Sequence, residues 1–167
     1  AKLTPEGLQL ELDNIQTLPC DTRINNMGYE ALTVVGDRLI AWPEVNGATT
    51  NTTHVARSFD LKLQPLDDVP LPTIEHRLTD STPADADGRF WVANYNHPGD
   101  HGMPEAPIVE QLIPMRSADG RVQQDGDPIE LLLQDGHPGR NWEAVAKLDD
   151  RGFLVMNDEF PRPMLAF

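Results

Sequence analysis

Apolar residues in this chain fall in short runs closed by Asp, Gly, Asn and Pro, among them Leu39–Trp42, Phe90–Ala93 and Phe153–Met156. No stretch carries the 3.6-residue periodicity of an amphipathic helix over a helix's usual length, and β-branched runs with turn residues dominate. The pattern predicts an all-β fold of many short strands.

The runs repeat. Units starting near Gly28, Thr79 and Trp142 can be laid over one another, with an acidic residue opening a short strand in each: Glu30, Asp80 and Glu143. A tight turn follows (Gly36-Asp37, Asp87-Gly88, then Asp150 to Gly152), and the apolar run comes next. Asp supports a turn by hydrogen bonding to its own backbone, and Gly accepts positive φ at little cost. A continuous apolar run suits a strand covered on both faces. Further strands are expected over 53–59 and 66–71 after the first hairpin, 108–115 and 129–133 after the second, and 163–167 after the third. Residues 8–15, with Leu8, Leu10 and Leu12 alternating with polar neighbours, read as an outer strand closing another unit.

This organisation predicts a β-propeller of about three four-stranded blades over 1–167. The acidic positions lie 50 and 63 residues apart, somewhat longer than the usual blade, with loops at 46–53 and 97–107 accounting for the excess. Closed propellers have about four to eight blades, so the chain is expected to be half of a six-bladed ring. A homodimer, or a separate chain from the same precursor, would supply the other half.

Composition narrows the partners. A net charge of −14 disfavours nucleic acid, whose phosphates such a surface repels, and suits cations. Cys20 is the single cysteine, which rules out an intrachain disulfide. No apolar stretch approaches the roughly 20 residues of a membrane-spanning helix, and the first residues do not read as a signal peptide.

The segments Asn25–Val34, Arg77–Tyr95 and Arg140–Phe160 resemble the phytase-like β-propeller family, whose domain is described as the esterase-like activity of phytase. The resemblance runs from about Leu8 to Phe167 and matches the C-terminal half of such proteins. It implies the propeller fold and a periplasmic or extracellular location, and through the family name it implies hydrolysis of a phosphorylated small molecule at the central channel.

Repeat symmetry would bring Glu30, Asp80 and Glu143 around one end of that channel. With Asn94, Asn157 and Asp158 they offer the oxygen donors that calcium prefers. In that scheme Glu30 or Glu143 is the general base, and the forks of Arg77 and Arg140 hold phosphate. The alternative is that the acids accept hydrogen bonds from backbone or arginine and tie blades together. Few lysines and no dense basic patch count against phytate itself as substrate. His97 and His101 flank a Pro-Gly loop, Asn51-Thr52-Thr53 is a formal glycosylation sequon, and Trp42, Trp91 and Trp142 are expected to pack between blades. No Gly-x-Ser-x-Gly elbow marks a serine esterase. Two functions follow: a calcium-assisted phosphoesterase, or a non-catalytic propeller acting as a binding or assembly subunit.

Overall fold

The computed structural model describes residues 2–10, 13, 15, 17–18, 28–45, 51–96, 108–132, 141–158 and 163–167. Every named element among them is a β-strand, and no helix is long and apolar enough to cross a membrane. The all-β expectation holds. A hairpin of β1 (Lys2–Thr4) and β2 (Gly7–Gln9) comes first. The first larger sheet then runs in chain order through β3 (Tyr29–Val35), β4 (Arg38–Pro43), β5 (Val55–Asp60) and β6 (Val69–Pro70). The second comprises β7 (Arg77–Ser81), β8 (Arg89–Asn96), β9 (Val109–Ala118) and β10 (Arg121–Gln124), with β11 (Ile129–Glu130) also paired to β9. The third is β12 (Trp142–Lys147), β13 (Phe153–Asn157) and β14 (Leu165–Ala166).

Two elements differ from the sequence expectation. Of the stretch 8–15, the described strand is β2, which pairs with β1, and no described pairing joins it to the third sheet. In the second sheet the strand expected over 129–133 is the short β11, and an unexpected β10 precedes it on the same edge of β9. The Asp119-Gly120 turn builds β10: both residues have positive φ, 53° and 74°, as the tight hairpin between β9 and β10 requires. Arg121–Gln124 contributes one apolar side chain, Val122, so its hydrophobic pattern gave little sign of a strand.

The three larger sheets stack in order, with β3 against β7 and β7 against β12. Cross-strand partners share a face, so the registers assign each side chain to one side of its sheet. Ala31, Ile40, Trp42 and Ala56 of the first sheet pack on Leu78, Phe90, Val92, Ile113 and Met115 of the second, all of them buried. The rings of Trp42 and Phe90 meet edge to face at 5.6 Å. Burying each such large side chain contributes about 1.5–3 kcal/mol. The opposite side of the second sheet places Ala93 and Leu112 against Trp142, Val145 and Val155, with Trp91 edge-on to Phe153 at 5.0 Å. Strand β8, apolar without a break from Phe90 to Ala93, therefore lies between two neighbours, as its continuous run predicted.

One polar chain crosses the first core. The Trp42 indole N–H donates to Thr33 Oγ1 at 2.8 Å, and that hydroxyl donates to Ser81 Oγ at 2.7 Å. Burial of these groups is tolerable because each finds a partner.

Candidate functional site

The first strands of the three larger sheets, β3, β7 and β12, begin alike. In each, one residue bulges out of register: Glu30 between Tyr29 and Ala31, Thr79 between Leu78 and Asp80, and Glu143 between Trp142 and Ala144. A bulge re-aims the side chains around it. The expected trio of acids is therefore corrected. Glu30 and Glu143 hold equivalent positions, but their counterpart in the second sheet is Thr79. Asp80 corresponds to Ala31 and Ala144, one position further along the strand.

The consequence is visible in the contacts. Asp80 Oδ2 accepts a hydrogen bond from Val145 N of β12 at 2.7 Å, and Thr79 Oγ1 donates to the Trp142 carbonyl at 2.7 Å. Both side chains bind the second sheet to the third. Glu110, buried on β9, adds to the seam by accepting from Asn141 N at 2.9 Å. Glu30 and Glu143 are exposed, and Glu143 accepts from the Asn141 side-chain amide at 2.7 Å.

Two of the remaining expected ligands, Asn94 and Asn157, are similarly occupied. Asn94 is buried, its amide donating to the Arg77 carbonyl at 3.0 Å and its Oδ1 accepting from Gln111 at 2.8 Å. Asn157 is buried and its Oδ1 accepts from Met164 N. Asp158 is exposed at the end of β13, its backbone N–H meeting the Asn141 carbonyl at 3.3 Å. Calcium needs six to eight convergent oxygens. Among the described residues no group of three His, Cys, Asp or Glu side chains is gathered closely enough to hold a metal ion.

Arg77 also differs from expectation. Its Nε lies 3.4 Å from Glu44 Oε1, and Leu78 N donates to the Glu44 carbonyl at 2.8 Å. The arginine pairs back to the first sheet, while Asp80, three residues on, reaches forward to the third. Arg140 lies outside the described residues, as do Cys20, His97 and His101. Sequence reasoning missed Thr33, Thr79, Ser81 and Glu110. The signal available was polar residues set among apolar positions of strands, which need partners when buried.

Among the described residues the groups with shifted titration are Asp85, Arg57 and Arg89. Asp85 accepts from the backbone N–H groups of Arg89 and Asp87, each at 2.9 Å, and these bonds hold its carboxyl below the usual range. The Arg57 guanidinium is raised chiefly by its hydrogen bond to Asp68, and Arg89 by its bond to Asp125.

A cleft of about 280 Å³ lies between the second and third sheets, lined by Leu112, Leu131, Trp142, Phe153, Val155 and Phe167 among others. Its lining is apolar apart from Glu130. Comparisons of the chain with protein-family models, with curated proteins and with solved structures found no match.

Proposed function

We propose that the three larger sheets are successive blades of a β-propeller, and that this chain is a non-catalytic subunit whose role is assembly or binding. The meander order of each sheet, with the first strands of neighbours side by side, supports the propeller reading. The observation that carries the functional half is the carboxylate of Asp80. Of the acids expected at the channel it is the one set between two sheets, and it spends its oxygen on the backbone of Val145. The side chains of Thr79 and Glu110 likewise bond backbone across the seam. Polar groups at the inner strands thus join blade to blade rather than converge on a ligand.

A hydrolase reading keeps one supporting feature: Glu30 and Glu143 are exposed at matching bulges, and bulges recur beside active sites. Calorimetric titration with calcium, on the native chain and on Glu143→Gln, separates the two. The assembly reading expects no saturable binding in either and no phosphomonoesterase activity. Stoichiometric calcium binding that Glu143→Gln abolishes would overturn it.

A further inference from the structure

The stack ends in two apolar faces, and each matches half of an interface that the molecule already makes. In the first sheet, Leu32, Val34, Leu39, Ala41 and Phe59 look away from the second sheet; Leu32 is 56% and Val34 37% exposed, Ala41 and Phe59 are buried beneath them, and Arg57 lies beside Ala41 on the same face. All of the five apolar residues but Val34 line, with Leu18 and Leu63, an open cleft of about 200 Å³. Counted from the bulge, Leu32, Leu39, Ala41 and Phe59 correspond to Ser81, Phe90, Val92 and Met115 of the second sheet. Those residues form the face that is buried against the first sheet.

The far side of the third sheet is the complement. Ala144, Leu154, Met156 and Leu165 correspond by register to Ala31, Ile40, Trp42 and Ala56, the first sheet's contribution to the same core. Yet Met156 is 48% and Leu165 70% exposed. One end of the molecule thus presents the pattern that its other end is shaped to cover. Exposed apolar faces of this kind mark interaction sites.

We infer that the Leu32–Phe59 face of one copy of this chain packs on the Leu154–Leu165 face of a second copy, head to tail. Both halves of the contact reside on one chain at opposite ends, so each copy offers one face of each kind. The contact is heterologous, joining unlike surfaces, and it closes only if the rotation per sheet completes a ring. Closure by two copies rests on the propeller reading, whereas the head-to-tail contact does not.

The test is light scattering on the native chain and on Leu32→Lys and Met156→Lys, both at partly exposed positions where a lysine is compatible with the folded subunit. The native chain is expected at twice its 18.6 kDa mass. Each variant is expected to weaken association by about tenfold or more, because a charge becomes trapped at the contact. Mixing the two variants supplies the decisive readout. A mixed dimer retains one interface with both native faces, so association recovers in the mixture relative to either variant alone. A native monomer at 18.6 kDa overturns the inference. So does loss of association in one variant with none in the other, which would indicate like faces pairing. Open-ended polymers that mixing caps would keep the head-to-tail contact and refute closure, and with it the half-ring. Circular dichroism checks that each variant is folded, and Leu165→Lys, at a more exposed position, replaces Met156→Lys if it is not.

Discussion

Replacing Gly88 by alanine should destabilise the chain far more than the same change at Gly36, and the two positions differ in one physical respect. Both glycines have positive φ, 76° and 60°. An L-residue in that region costs about 1–2 kcal/mol. At Gly36 nothing lies within 4 Å of a new Cβ, so the backbone cost is the whole cost. At Gly88 the Cβ would sit 2.5 Å from the Ser117 carbonyl oxygen, a backbone atom with little freedom to retreat. The Gly88 carbonyl also accepts from Ser117 N at 2.8 Å, so moving apart loosens a hydrogen bond worth about 0.5–1.5 kcal/mol. Gly88→Ala is therefore expected to cost about 2–4 kcal/mol against about 1–2 for Gly36→Ala. In a chain of this size each kcal/mol moves the melting temperature by about 2–4 °C. Urea unfolding followed by tryptophan fluorescence reads both variants, with the slopes compared to exclude a change in the unfolded state. Equal losses in the two variants would refute the close approach between the β7–β8 turn and the end of β9.

Three further outcomes follow from the seams between sheets and from one turn. Thr33→Val should lower stability by about 1–3 kcal/mol in chemical denaturation, since it leaves the buried Trp42 indole and Ser81 hydroxyl without their shared partner. Asp80→Ala should cost about 1–3 kcal/mol by orphaning Val145 N, while Asp80→Asn, which keeps an acceptor, should recover much of the loss; hydrogen exchange at Val145 checks the assignment. The ionised Asp85 is favoured in the folded state, so its contribution is complete above about pH 4 and fades as pH falls through its lowered value. Urea midpoints of the native chain and Asp85→Asn should accordingly converge on acidification from about pH 7 toward about pH 2, and a constant difference would contradict that sign.

Much of the strand plan was legible because turn chemistry and apolar runs are local. The hairpins at Gly36, Gly88 and Gly152 declared themselves through Asp and Gly, and the runs after them through their hydrophobicity. Strand β10 escaped because its fit depends on the edge of β9 rather than on its own residues. The site was less legible for a reason tied to register. An acid near the start of the first strand in each larger sheet looked like a ring of three, but a bulge sets the register position each side chain holds, and a bulge leaves little mark in sequence. Thus Asp80 fell one position from Glu30 and Glu143, and Arg77 found Glu44 in another sheet. Partners so far apart in the chain are fixed by packing, which local patterns do not encode.

The outer rim of the stack has a consequence of its own. Along β5 the outermost partner is broken into an isolated bridge at Pro65 and the two-residue β6, which ends at Pro70. Along β9 the corresponding place is divided between β10 and β11, with Pro128 before β11. Proline offers no N–H, and interrupted, charged segments such as Asp67-Asp68 make poor templates for another strand. Lateral sheet extension, the usual route to fibrous aggregation, is thereby discouraged at the perimeter of the two longer sheets, leaving contact through flat faces as the route by which such a stack can grow.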